Sequence, residues 1–97
     1  EDELFALAEA DRAQRRCKEA AERYDRYISK FPRGRYTDMA QFRMGECYKA
    51  LGRWDEAAES YEAVTQFYAN SPLAPEALFQ AGKAYESAHK PAEMAHV

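Results

Sequence analysis

The stretch Phe42-Arg43-Met44-Gly45-Glu46-Cys47-Tyr48-Lys49-Ala50-Leu51-Gly52-Arg53-Trp54-Asp55-Glu56-Ala57-Ala58-Glu59-Ser60-Tyr61 decides the fold. Around it, Met39, Phe42, Met44, Cys47, Tyr48 and Leu51 fall mostly three or four residues apart, the spacing of an amphipathic helix. Gly52 can take the left-handed conformation that ends such a helix. Trp54, Ala57, Ala58, Tyr61, Val64, Thr65 and Tyr68 then resume the spacing, and Asp55 and Glu56 place negative charge in a first turn, where the helix dipole favours it. The unit reads as a helix, a tight turn and an antiparallel second helix. A mid-helix glycine costs roughly 0.5–1 kcal/mol relative to alanine, so Gly45 predicts a packing requirement. Gly45 and Ala57 lack bulk where the two backbones approach, and Tyr61 fills the space beside them. On this reading Gly45→Leu unfolds the domain.

The same unit recurs along the chain with a displacement of 37 positions. Phe5, Phe42 and Phe79 come into line, followed by Ala8, Gly45 and Gly82, then Ala20, Ala57 and Met94, with Tyr24 over Tyr61. A fixed period of roughly 20–50 residues marks stacked repeats, each burying its apolar face against its neighbours. The units cover about residues 1–35, 36–71 and, in part, 72–97 of a single domain. Phe31-Pro32-Arg33-Gly34-Arg35 separates the first two, and Ala69-Asn70-Ser71-Pro72 the next, with Ser71 as helix N-cap and Pro72 in the first helical turn. The third unit's first helix is predicted to run through Ala77, Phe79, Gly82 and Tyr85 to about Ala88, with Pro91 opening another. Gly82 inherits the packing role of Gly45. In the first unit, Gln14 and Arg15 replace Leu51 and Gly52, so residues 2–31 could form one long helix; the internal homology favours two.

At 46% apolar and 13% aromatic residues, the 97-residue chain can build a core. Backbone ordering costs roughly 1–2 kcal/mol per residue, which predicts modest stability for two repeats and a fragment. Residues 1–53 carry a net charge of +2 and residues 54–97 one of −5. Such a solenoid could stack head to tail or offer its ends to different partners, or the drift could be no more than a solvated surface. No apolar run of membrane-spanning length occurs. Signal-peptide, basic-tract and low-complexity patterns are absent, and because the chain opens with Glu1 a preceding targeting segment is left open. Cys17 and Cys47 lie 30 residues apart, outside metal-binding spacings, and read first as buried small hydrophobes. A disulfide between neighbouring helices is the other reading of the pair.

An apolar-apolar-Gly-x-x-Tyr first helix, an Ala and an aromatic on the second, and a following Pro resemble the tetratricopeptide repeat. Met44-Gly45-Glu46-Cys47-Tyr48, Ala57 and Tyr61 carry the likeness in the second unit, and Leu4, Leu7, Ala8, Ala20, Tyr24 and Pro32 in the first. The resemblance implies an all-α fold of antiparallel helix-turn-helix repeats in a right-handed superhelical solenoid, acting as a protein-binding scaffold without cofactor or catalysis. The 37-residue spacing and the strings Phe31-Pro32-Arg33-Gly34-Arg35-Tyr36 and Ser71-Pro72-Leu73-Ala74-Pro75 further resemble repeats of bacterial envelope proteins. Those are the periplasmic coordinator of the Tol-Pal system and the repeat lipoprotein of outer-membrane assembly, which would imply a periplasmic adaptor. The third unit departs from the pattern, with His89 in place of the turn Gly and Met94 in place of Ala. Its last apolar face would then be open to self-association.

Repeats of this kind resemble one another in lining a concave groove with their first helices. The groove is then expected to present the ladders Phe5-Phe42-Phe79, Glu9-Glu46-Lys83 and Arg12-Lys49-Glu86, with Met39 beside them. Aromatic rings would anchor an extended or helical peptide and the charges would set its register; alternatively each Phe packs between successive helices. On the first reading Phe42→Ala weakens partner binding and leaves the fold intact. Phe42 and Glu46 stand where a clamp for acidic C-terminal tails needs Asn and Lys, which disfavours that use. His89 and His96 have no relay partners, and neither HExxH nor a phosphate-cradling loop occurs, so catalysis and a metal site are not expected. Arg12, Arg15, Arg16, Lys18, Arg23 and Arg26 raise nucleic-acid binding as a minor alternative. The interleaved Asp11, Glu19, Glu22 and Asp25 and a pI near 5.4 oppose it.

Overall fold

A computed structural model describes the backbone of residues 2–95 and the side chains of residues 2–88. Among them are five helices: α1 (Asp2–Ala13), α2 (Cys17–Lys30), α3 (Thr37–Ala50), α4 (Trp54–Phe67) and α5 (Ala74–Ala95). The main packing is between sequence neighbours, α1 on α2, α2 on α3, α3 on α4 and α4 on α5. That is the contact pattern of a stack growing in one dimension, and the molecule is correspondingly elongated, 49 × 29 × 18 Å. The fold is an all-α helical-repeat solenoid.

The turns within the first two units are hydrogen-bonded alike. In the second, Gly52 is left-handed (φ 76°), its N–H donates to Lys49 O at 3.0 Å and the N–H of Arg53 donates to Tyr48 O at 2.9 Å. In the first, Arg15 is left-handed (φ 63°), with Arg15 N to Arg12 O at 3.0 Å and Arg16 N to Asp11 O at 2.8 Å. Both are Schellman turns, in which the two N–H groups after the helix satisfy carbonyls of its last turn. The first unit is therefore two helices, although it lacks the glycine. A left-handed L-residue costs roughly 1–2 kcal/mol, and the return of α2 onto α1 compensates for it.

The breaks between units repeat as closely. Phe31 N donates to Tyr27 O and Gly34 N to Phe31 O; 37 residues on, Tyr68 N donates to Val64 O and Ser71 N to Tyr68 O. Thr37, 1% exposed, donates its hydroxyl to Phe31 O at 2.5 Å, joining that break to the start of α3. Ser71 accepts the Leu73 N–H at 3.1 Å and donates to Asp38 Oδ2 at 2.5 Å. Its side chain therefore caps the turn ahead of α5 and ties it to α3. The helix itself begins at Ala74, so Pro75 and not Pro72 occupies its first turn.

The third unit corrects one expectation. No turn follows Ala88; α5 continues through residues 89 and 91 to Ala95. A left-handed reversal is compensated when a full helix folds back, as α2 and α4 do, and among the described residues none folds back on α5. The side chains of His89, Met94 and His96 lie outside the described residues.

The core falls into two linked clusters. Ala8, Ala20, Ala21, Tyr24, Tyr27, Ala40, Met44 and Cys47 pack where α1, α2 and α3 meet, and Phe42, Ala57, Ala58, Tyr61, Val64, Ala77, Ala81 and Ala84 where α3, α4 and α5 meet. Large rings alternate with alanine, so that closely spaced backbones and filled volume coexist.

Candidate partner-binding surfaces

The small-residue positions explain how close the helices come. A Cβ on Gly45 would stand 2.8 Å from two carbons of the Tyr61 ring, closer than real contacts permit, and Tyr61 is itself 1% exposed. The equivalent Ala8 and Tyr24 of the first unit, with Ala20 and Ala57, are fully buried. Gly82 does not share this role: no atom comes within 4 Å of a Cβ built there, and the residue is exposed. In the second unit the ring of Tyr61 on α4 meets Gly45; among the described residues no helix stands in that place against α5.

The same asymmetry divides the phenylalanine ladder. Phe5 is half-buried, stacked on Tyr36 at 4.5 Å between ring centroids and tilted against Tyr24 and Tyr27. Phe42 is 8% exposed and meets Tyr61 edge-on at 5.4 Å. Phe79 is 59% exposed, with the Lys83 ammonium 5.2 Å from its ring centroid, and Leu78 beside it is 62% exposed. Of the two readings of the ladder, packing between helices holds for Phe42, Phe5 is half-buried against the core, and Phe79 alone of the three is open. Phe5 and Phe42 meet rings of their own unit's second helix, and among the described residues no such helix lies over Phe79.

The charged side chains of α1 and α3 are linked, while Lys83 and Glu86 lie apart from them on α5. Glu9 accepts the Tyr24 hydroxyl and lies 3.4 Å from Arg12 Nε and 3.6 Å from Arg43 Nε. Arg43 also reaches Glu46 at 2.8 Å through Nη1. The row Arg12, Glu9, Arg43, Glu46 therefore runs across α1 and α3 with alternating sign. Arg43 was not among the residues singled out from sequence, although its place three residues before Glu46 was a readable signal. Further along, Lys49 Nζ donates to Gln80 Oε1 at 3.3 Å, and Gln80 in turn donates to Glu76 at 2.8 Å. Met39 is half-buried at the start of α3, and Glu86 is exposed on α5.

Two of the open clefts along the stack are large enough to hold a peptide segment. One, of about 620 Å³, is formed where α3, α4 and α5 meet, from Phe42, Glu46, Lys49 and Ala50, Trp54 and Tyr61, and Glu76 and Gln80. The buried rings make its floor, and the carboxylates, Lys49 and Gln80 its rim. The other, of about 670 Å³, lies between the two inter-unit breaks, lined by Pro32 to Gly34, Thr37 and Asp38 on one side and Phe67 to Ser71 on the other. Across it the Tyr68 hydroxyl donates to Pro32 O at 3.0 Å, and Phe67 is 72% exposed.

Burial raises the Tyr24 and Tyr61 hydroxyls well above the usual tyrosine range, and carboxylates nearby reinforce the effect: Glu9 by hydrogen bond and charge at Tyr24, Glu46 by charge at Tyr61. Both rings are neutral structural elements near neutral pH. Among the described residues no group of three or more His, Cys, Asp or Glu could hold a metal ion, and no helix is long and apolar enough to cross a membrane. Arg12 and Arg23, two members of the basic cluster in the first unit, are paired, Arg23 with Asp11 at 2.8 Å.

A helix-turn-helix unit repeated with the same Schellman turn, small-residue contact and inter-unit hydrogen bonds defines a helical-repeat scaffold. Residues 4–34 and 39–71 match the tetratricopeptide repeat family, and the chain belongs to it. The two matched stretches coincide with the α1–α2 and α3–α4 hairpins. Comparison with characterised proteins over their full sequences gives no match. Tetratricopeptide repeats in general mediate protein–protein interaction.

Proposed function

We propose that this chain is a non-catalytic scaffold that binds a segment of a partner protein in the cleft between α3 and α5. The observation that carries the reading is the cleft's make-up: an aromatic floor of Phe42, Tyr61 and Trp54 beneath a rim of Glu46, Lys49, Glu76 and Gln80. The half-buried Trp54 offers apolar anchoring area above the closed rings of Phe42 and Tyr61, and a rim of mixed charge selects sequence and register. The alternating row from Arg12 to Glu46 extends the charged track toward α1. The 37-residue period and the proline-bearing breaks resemble envelope repeats, and on that ground we place the scaffold in a periplasmic assembly of a bacterial envelope. A cytoplasmic adaptor would use the same cleft. Pairing of Arg12 and Arg23 with carboxylates weighs against a nucleic-acid partner.

The test is affinity capture from cell extract with the wild type and with Lys49→Glu, whose exposed side chain donates to the rim residue Gln80. Circular dichroism should show both folded, and the bound partner should be lost from the variant. Equal capture by both would sink the cleft as the site. Capture that collapses with rising salt and yields nucleic acid would instead favour the basic first unit.

A specific observation favours a second surface. Leu78 and Phe79 are exposed together on α5, beside the open Gly82, where the second unit has α4. This face suits a helix, and a second copy of the chain is the occupant we infer. Sedimentation should show mass rising with concentration for the wild type and not for Phe79→Ser. A wild type that stays monomeric at high concentration would exclude the copy.

A further inference from the structure

Cys17 is the first residue of α2 and Cys47 lies in the last turn of α3, on two helices packed against each other. Cys17 is half-buried and packs against the core cluster that contains Cys47, which is 1% exposed. α2 opens and α3 closes at the same end of their antiparallel interface, so the two residues meet one core cluster from neighbouring helices, and both cysteines are free thiols. The positions equivalent to them one unit on are Trp54 and Ala84. A large ring and a methyl group serve the stack there, so the architecture does not itself require sulfur at either place.

We propose that Cys17 and Cys47 are a redox pair that closes to an intramolecular disulfide, covalently stapling the first unit to the second. The half-buried Cys17 is the attacking thiol and the buried Cys47 the resolving one. With a low-molecular-weight disulfide as oxidant, the Cys17 thiolate attacks one of its sulfurs, forming a mixed disulfide and releasing one thiolate. The Cys47 sulfur then attacks Cys17, the Cys17–Cys47 bond forms and the second small thiolate departs. The two cysteine protons leave with the two released thiols, and the small disulfide is reduced as the pair is oxidised.

Burial first, and then the neighbouring Cys17, push the Cys47 thiol up to about 12, while Arg12 opposes and Glu46 adds to the shift. Burial of Cys47 also keeps it from direct attack on the oxidant, so the more accessible Cys17 reacts first. Closing the bond would hold α2 and α3 at one separation and so fix the angle between the first two units.

The test equilibrates the whole 97-residue chain in glutathione buffers from reduced to oxidised, followed by acid quenching and mass spectrometry. The expected product is a monomer lighter by two hydrogens, with Cys17 and Cys47 peptides joined. Its thermal midpoint should lie on the order of 10 °C above that of the reduced chain and return on adding a reductant. Cys47→Ala, which copies the residue found at position 84, should stop at a stable glutathione adduct on Cys17. A wild type that remains fully reduced, accumulates the same adduct without closing, or links only between chains would overturn the proposal.

Discussion

At Arg15 and Gly82 the side chain alone is a poor guide to the role the position plays. The left-handed turn at Arg15 carries an L-residue, and it keeps the same two hydrogen bonds as the turn at Gly52. The position is set by the repeat, with α2 supplying the burial that offsets the strain. Gly82 errs the other way: alignment with Gly45 implied crowding, and the space around it is empty. The two glycines therefore make opposite predictions. Gly45→Ala forces the buried Tyr61 ring aside and should lower stability by about 1–3 kcal/mol, whereas Gly82→Ala removes a helix-weakening residue and should raise it by roughly 0.5–1 kcal/mol. Chemical denaturation of the pair decides, and a matching sign for both would refute the packing described for α3 and α4.

Helix boundaries were legible because capping and periodicity are local chemistry. The spacing through Met39, Phe42 and Tyr48 marked α3, and Gly52 marked its end. The third unit differs because a helix end is also a tertiary event: α5 runs on through residue 91, and among the described residues no second helix returns onto it. The phenylalanines follow the same logic. Phe42 lies under α4 and Phe79 has no such cover, although the two occupy one position of the repeat. Phe42→Ala should thus cost about 3–5 kcal/mol of stability, and the expectation that it would leave the fold intact is withdrawn. Phe79→Ala should stay within about 0.5 kcal/mol of wild type. Melting curves for the two variants test this, and equal losses would mean that the faces of α3 and α5 are equivalent after all.

Over the whole molecule, the stack is fastened by buried tyrosines as much as by aliphatic side chains. Tyr24, Tyr27 and Tyr61 are among its largest fully buried residues, with Tyr24 and Tyr61 held above the ordinary tyrosine range by burial. The unfolded chain releases those protons near pH 10, and the folded chain retains them. The stability they contribute is complete below about pH 10 and is lost as pH rises toward their folded-state values. The urea midpoint should fall from about pH 10 upward, and less steeply in Tyr24→Phe. Tyrosinate absorbance showing all seven tyrosines ionised in a still-folded chain at about pH 11 would contradict this. By itself the sequence determined the repeat, its period, and the helices and turns of the first two units, because periodicity, small-residue spacing and capping act over a few residues. Only the tertiary structure decided which rings are core, that Gly82 is open, that α5 runs on past Ala88, that Arg43 joins Glu9 to Glu46, and that Cys17 packs on the cluster holding Cys47. Each of those depends on whether another helix lies over a given face, and identical positions in a repeat do not have identical neighbours.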